Sequence, residues 1–306
     1  MRAEIEATYE LIRGHVRRTP VIEISPADLG IDATGPLTLK LEYLQRSGSF
    51  KVRGAFANLL LRTVPEAGVV AASGGNHGVA VAFAAHQLKV KARVYVPTIS
   101  DPAKIDRIRT LGATLVVGGE RYADALAAAQ EWQAQTNALD IHAFDQRETL
   151  LGQGSVALEL MQQATVDTVL APVGGGGLIG GMAAYLQGTI KTVGVETTGA
   201  PTLATALEHG APTDAPAGGI AADALAPKRV GELMFPIAQR YVDRVVLVED
   251  DAVKDAQREL WRALRIAVEP AASVGIAALR TGAYRPEPGE RVAVVLSGAN
   301  TKPVDE

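Results

Sequence analysis

Two hydrophobic periods take turns along this chain. Leu37-Thr38-Leu39-Lys40-Leu41-Glu42-Tyr43 changes between apolar and polar at every residue, the period of a strand. Shortly after it, Val52, Ala55, Phe56, Leu59 and Leu60 recur at the spacing of one helical face. The same exchange continues downstream. Val69 to Ala72, Ala92 to Val96, Thr114 to Val117, Thr168 to Val173, Thr192 to Glu196, Arg244 to Val248 and Arg291 to Leu296 are predicted strands. Helices are predicted from Val79, over Pro102 to Leu111, Tyr122 to Gln135, Leu178 to Leu186, Ala252 to Ile266 and Ala271 to Leu279. Such alternation predicts an α/β fold of open, mostly parallel sheets covered by helices. Gly210 to Gly219, rich in Pro, Gly and Ala, is expected to be the least structured stretch. There is no internal repeat and no low-complexity linker.

Composition narrows the function classes. The 306 residues leave room for two lobes or one large α/β unit. A net charge of -4 gives no basic surface for nucleic acid, and Arg17-Arg18 reads as a solvated face. With zero cysteines, disulfides, thiolate metal sites and cysteine nucleophiles are excluded. The mixed-charge start, Met1-Arg2-Ala3-Glu4-Ile5-Glu6, is helical in pattern and unlike a signal peptide. No apolar run reaches membrane-spanning length. The expectation is a soluble protein of the cytoplasm.

Chemistry enters at Ser47-Gly48-Ser49-Phe50-Lys51-Val52-Arg53-Gly54, where one lysine stands between a strand and the first turn of a helix. The helix dipole disfavours a cation there, so Lys51 is a candidate for the depressed pKa that a Schiff-base lysine needs. Its plain reading is an ordinary surface lysine. Gly174 to Gly177 follow a buried-looking strand and precede a helix, so backbone N–H groups and a positive dipole end can cradle a phosphate. The plain reading is a flexible turn. No Gly-Lys-Ser/Thr follows, which excludes a P-loop. Glu196 does stand where a dinucleotide fold puts its acidic residue, so a nucleotide-dependent enzyme stays open, although it leaves Lys51 and Asn76 unexplained. Ser73-Gly74-Gly75-Asn76-His77-Gly78 again joins strand to helix; its amides suit a carboxylate, while Asn76 suits either a ring hydroxyl or a helix cap. His77 is given no acid or base role. Ser297 ends the last strand, before Gly298-Ala299-Asn300, and Phe50 is by default core.

The segments around Lys51, Ser73 to Gly78, Gly174 to Gly177 and Ser297 to Asn300, in that chain order, resemble the fold-type II pyridoxal-phosphate enzymes, nearest to the serine/threonine dehydratases and serine racemases. The resemblance runs from about Arg18 to Asn300. It implies two lobes, a large one of 1–66 and 145–306 and a small one of 67–144, with the active site in the cleft between them. It further implies that Lys51 carries pyridoxal 5'-phosphate with Phe50 against the ring. Asn76 would meet the phenolic oxygen, and Gly174, Gly175, Gly176, Gly177 and Leu178 the phosphate. Ser297 would face the pyridine nitrogen, where a hydroxyl supports a neutral ring rather than a protonated one. Ser73, Gly74, Gly75, Asn76 and His77 would hold the substrate carboxylate. A cation site is implied at Glu196, the Ala200 carbonyl and Thr202. Racemase-like members carry Asp at the last position; threonine removes a carboxylate and favours K⁺ over Mg²⁺. A homodimer is implied by analogy.

Within the family, Lys51-Val52-Arg53 departs from the Lys-Asp-Arg of the synthase branches. Gly74 stands where racemase-like members carry a serine that works on the face opposite the lysine, so racemisation is expected to be weak. The chain ends just after the last strand, so isoleucine feedback through a C-terminal regulatory domain is not expected. The expected reaction is β-elimination from L-threonine or L-serine, with Lys51 as general base and the cofactor phosphate as acid, giving a 2-oxo acid and ammonia. The alternatives are a related lyase or racemase on another β-hydroxy amino acid such as 3-hydroxyaspartate, a synthase, and a non-catalytic protein that kept the fold.

Overall fold

The computed structural model describes residues 1–98, 100, 102–120, 122–225 and 227–301. In chain order the elements are α1 (Arg2–Ile12), β1 (Val21–Ile24), β2 (Leu37–Lys40), α2 (Lys51–Leu61), β3 (Val69–Ala72), α3 (Asn76–Leu88), β4 (Ala92–Val96), α4 (Pro102–Thr110), β5 (Thr114–Val117), α5 (Tyr122–Thr136) and β6 (Leu139–Asp140). They continue with α6 (Arg147–Gln163), β7 (Thr168–Pro172), α7 (Gly177–Leu186), β8 (Lys191–Thr197), α8 (Thr202–His209), α9 (Ala222–Leu225), α10 (Phe235–Tyr241), β9 (Arg244–Val248), α11 (Asp250–Leu264), α12 (Pro270–Thr281) and β10 (Val292–Val295). Two sheets result, a six-stranded one ordered β1-β2-β10-β7-β8-β9 and a four-stranded one ordered β5-β4-β3-β6. Every pairing is parallel except β1 with β2.

Helices cover both faces of the large sheet, and the two-residue period of the strands sorts the side chains between them. Val169, Ala171, Ala293 and Val295 face the core built by α6 and α7, with Leu150, Leu160, Ile179 and Met182. Their neighbours Leu170, Val292 and Val294 face α11 and α12, with Val253, Leu260, Val274 and Ile276. In the small sheet, Val69 and Ala71 pack on Val52, Phe56, Ala80 and Ala84 of α2 and α3. Val70 and Ala72 pack on Ala125 and Ala129 of α5.

The helix carrying Lys51 therefore belongs to the small sheet's core on one side and meets α6 on the other. Contact with α6 is backbone to backbone: a Cβ on Gly152 would lie 2.5 Å from the Arg53 carbonyl oxygen and 2.7 Å from the Gly54 Cα. On the opposite side of α6, a Cβ on Gly181 of α7 would lie 2.5 Å from the Leu150 carbonyl oxygen. Glycines thus let three helices pack closely, which fixes the start of α2 relative to the start of α7.

Candidate active site

Parallel strands bring their carboxyl ends to one edge, and the motif segments follow from those ends. Gly174 comes two residues after β7, Ser297 two residues after β10, and Ser73 directly after β3. This is where open α/β sheets bind ligands. Direct bonds tie the Lys51 and Ser297 segments together, and the connection between β6 and α6 touches Lys51, the glycine loop and His77. The Phe50 N–H donates to the Ser297 carbonyl at 3.1 Å, and the Ala299 N–H donates to the Gly48 carbonyl at 2.9 Å. Lys51 Nζ donates to the Ala143 carbonyl at 2.8 Å. The next residue, Phe144, lays its ring on the glycine loop, 2.3 Å from where a Gly175 Cβ would stand. His77 Nε2 pairs with the Ile141 carbonyl at 2.7 Å in the same connection between β6 and α6.

Lys51 is the first residue of its helix, half-buried, with its ammonium 5.2 Å from the centre of the Phe50 ring. Burial lowers its pKa to about 8. An amine in that range supplies an appreciable unprotonated fraction near neutral pH, which a nucleophile or proton acceptor requires. The other two buried lysines differ: Lys40 Nζ lies 2.7 Å from Glu159 Oε2, and Lys104 Nζ lies 3.3 Å from Glu269 Oε1. His77 is held to a pKa of about 3 by burial and by the neighbouring Lys51 charge, so it stays neutral at working pH.

The glycine loop has the shape of an anion cradle. Gly176 is left-handed, with φ +86, and a Cβ there would meet the Met234 side chain at 2.4 Å. A Cβ on Gly177 would lie 2.9 Å from Phe144 Cβ. Side chains are thereby excluded, and α7 begins at Gly177 with the N–H groups of its first turn lacking intrahelical partners. With an amine of lowered pKa, a side-chain-free loop at a helix N-terminus and an asparagine amide close by, the donor set fits a phosphorylated aldehyde cofactor.

Asn76 and His77 lie in the first turn of α3, which starts three residues before the expected Val79. The loop ahead of them is shaped by the Ser73 hydroxyl, which accepts the Gly75 N–H at 3.2 Å. Gly74 is not flanked by open space. A Cβ there would fall 1.9 Å from Ser100 Oγ, so a hydroxyl from another loop fills the volume of the missing side chain.

Glu196 and Thr202 also converge, and Ala200, between them in the chain, is buried with its N–H on the Thr197 carbonyl. Glu196 is fully buried; its Oε1 accepts the Thr202 hydroxyl and the Leu203 N–H, both at 2.8 Å, and its Oε2 accepts the Ala204 N–H at 3.0 Å. The carboxylate caps α8, and burial raises its pKa to about 7. The Thr202 hydroxyl also reaches the Gly174 carbonyl at 2.8 Å, which couples this constellation to the glycine loop. Among the described residues no cluster of three or more His, Cys, Asp or Glu side chains could hold a metal ion.

A fully buried ion network lies just beyond Lys51. Arg53 makes bidentate pairs with Glu42 (2.7 and 2.8 Å) and Glu159 (2.9 and 2.8 Å), and Lys40 bonds Glu159, Gln163 and the Thr19 carbonyl. The carboxylates drive the Arg53 pKa upward against the opposing effect of burial. Two cations and two anions cancel, and they join β2, α2 and α6 where Lys51 must be held still. Sequence reasoning did not single out these residues, nor Lys104, Phe144, Ser100 and Glu269. Their only local signal was a charged position inside an apolar pattern, as at Lys40 and Arg53.

Residues 12–298 match the model of the family described as pyridoxal-phosphate dependent enzyme. The chain belongs to that family. It is 38% identical over 305 residues to an L-threonine ammonia-lyase of Geobacter sulfurreducens, covering 97% of this chain and 74% of the relative. Its fold superimposes on the threonine deaminase of T.th. with a TM-score of 0.90, at 35% identity and 98% coverage of both chains. For maize serine racemase the TM-score is 0.91, at 30% identity, covering 98% of this chain and 94% of that one. Among the described residues no helix is long and apolar enough to cross a membrane.

Proposed function

We propose that this protein is a pyridoxal-phosphate-dependent ammonia-lyase acting on L-threonine and L-serine. The carrying observation is Lys51, a half-buried amine with a pKa of about 8, next to the Phe50–Ser297 contact and bonded to Ala143 in the connection whose Phe144 covers the glycine loop and whose Ile141 pairs with His77. The bound cofactor would supply an electron-withdrawing ring that makes the substrate Cα–H acidic. Lys51 Nζ would hold the cofactor and serve as the acceptor of the substrate Cα proton. Gly174 to Gly177 and Leu178 would hold the phosphate, Phe50 would back the ring, and Asn76 would donate to the phenolic oxygen. Amides of Ser73 to His77 orient the substrate carboxylate. Ser297 would give the pyridine nitrogen a neutral hydrogen-bond partner, so that the ring withdraws electrons less strongly than a protonated one would, which favours loss of the β-hydroxyl. The substrate loses its Cα proton and hydroxyl as water; the enamine released tautomerises and hydrolyses to a 2-oxo acid and ammonia.

Residues 67–144, which contain the four-stranded sheet, are taken as the small lobe, and 1–66 with 145–306 as the large one. Glu196, the Ala200 carbonyl and Thr202 are assigned to a K⁺ ion, with Mg²⁺ the poorer match to one carboxylate. A cytoplasmic homodimer completes the reading. Its support is the absence of cysteine and the family resemblance.

Racemisation gains one specific argument, the Ser100 hydroxyl in the Gly74 side-chain volume, since it could protonate the face that Gly74 leaves bare. The test is to follow pyruvate and D-serine together from L-serine, in wild type and Ser100→Ala. Pyruvate in large excess is expected, with any trace of D-serine lost in Ser100→Ala. D-serine accumulating as fast as pyruvate would overturn the dehydratase reading. If neither product forms while 3-hydroxyaspartate is turned over, the substrate class is wrong.

A further inference from the structure

Glu269 has no part in the reading above, yet it sits against one of its residues. It precedes Pro270 at the start of α12 and is only 3% exposed. Asn76 of α3 and Lys104 of α4 converge on its carboxylate. Asn76 Nδ2 donates to Oε2 at 2.6 Å, and Lys104 Nζ of α4 lies 3.3 Å from Oε1. The other end of the Asn76 amide is also engaged: Oδ1 accepts from Asn300 Nδ2 at 2.7 Å. Asn300 Oδ1 in turn accepts from Arg107 Nη1 at 2.5 Å, and its Nδ2 also donates to the Ser47 carbonyl at 2.9 Å. Lys104, Glu269, Asn76, Asn300 and Arg107 thus form one polar chain. It leaves α4, crosses to the large sheet's side twice, and returns to α4. Glycine at 298 makes room for it, because a Cβ there would lie 2.5 Å from Glu269 Oε2 and 3.3 Å from Asn76 Nδ2.

The chemistry of the donors fixes the amide. An ionised carboxylate only accepts, so the Asn76 atom that faces Glu269 must be the NH₂ nitrogen. That nitrogen has a second N–H. We propose that Glu269 is a positioning residue that locks Asn76 so that this second N–H is presented to the cofactor's phenolic oxygen. Lys104 supplies the counter-charge that keeps the buried carboxylate an acceptor. With the carboxylate protonated or absent, the amide would be oriented only from its oxygen end, by Asn300 Nδ2, and its N–H would be held less firmly toward the cofactor. Because both ends of the chain lie on α4, the donor is set only when that helix is seated against the large sheet's side. The inference rests on the assignment of Asn76 to the cofactor.

Glu269→Gln tests it, since a glutamine amide can donate or accept and leaves Asn76 oriented only from its Asn300 end. A donor fixed on the phenolic oxygen stabilises its anionic form, so losing it raises the pH at which the visible cofactor band titrates. The expected result is a rise of about one pH unit. It should come with a kcat about tenfold lower or more, and a KM for L-threonine changed by less than about threefold. Lys104→Met should shift the band the same way, and Lys104→Arg should restore it. An E269Q protein whose only change is a lower unfolding temperature would overturn the proposal, as would one whose band and kcat match wild type. A wild-type protein that forms no visible band with pyridoxal phosphate would instead sink the functional reading, and this inference with it.

Discussion

Substitution of Gly175 by alanine puts the cradle and its cover to a quantitative test. The added Cβ would lie 2.3, 2.4 and 2.5 Å from three carbons of the Phe144 ring. Carbons pack at about 3.5–4.0 Å, so more than an ångström must be found. The ring has little freedom to give. Its neighbour Asp145 accepts the N–H groups of Glu232 at 3.1 Å and Leu233 at 2.9 Å, and His142 Nδ1 accepts those of Phe144 and Asp145. The loop is tied as well, through the Gly175 carbonyl to the Gly231 N–H at 3.0 Å and the Gly174 carbonyl to Thr202. Overpacking of this kind costs about 1–3 kcal/mol. If the loop carries that strain, cofactor affinity falls about 5- to 150-fold. The assay is titration of the apoprotein with pyridoxal phosphate, followed by visible absorbance, in a four-protein cycle with Phe144→Ala. Without the ring, Gly175→Ala should weaken binding by less than about threefold. Equal losses in both backgrounds would show that Phe144 is not what makes glycine necessary, and would refute the reasoning.

Two further outcomes follow from the perturbed groups. The folded-state pKa of Lys51, about 8, lies below its ordinary 10.5, so between these values the unfolded chain holds a proton that the folded chain does not. Stability of the apoprotein from this group therefore rises with pH across that window; urea midpoints should show the rise in wild type and not in Lys51→Met. The Glu196 carboxyl, raised to about 7 by burial, must lose its proton to hold a cation, so activation by K⁺ should strengthen as pH increases through that value. Activity that needs Mg²⁺ and ignores K⁺ at every pH would contradict the cation assignment.

Much of the architecture was legible because its signals are local. The β7 run ends at the glycine loop, the β10 run ends at Ser297, and both periods of the pattern survive in the cores. What escaped depends on distant partners. Leu37 to Tyr43 alternates as a half-buried strand does, yet its polar face is buried too, because Lys40 and Glu42 meet Arg53 and the remote Glu159. Helix α6 was not anticipated, since Gly152-Gln153-Gly154 weakens a helical pattern. Those glycines serve close packing against α2 and α7, a need that only the assembled fold reveals. Asn76 was legible as a site residue, but Glu269 and Lys104 were not. Their pairing spans different elements and leaves no periodic trace.

The central claim, that Lys51 anchors the cofactor, is tested most directly by reducing the pyridoxal-phosphate-loaded protein with borohydride and mapping the labelled peptide. Burial alone does not single out Lys51, because Lys40 and Lys104 are also buried. The pairing does: those two face carboxylates, whereas Lys51 Nζ donates to a neutral carbonyl and has its pKa lowered to about 8. The account predicts the pyridoxyl label on Lys51, with none retained by Lys51→Ala. Label on Lys40, on Lys104 or on a surface lysine, undiminished in Lys51→Ala, would contradict it.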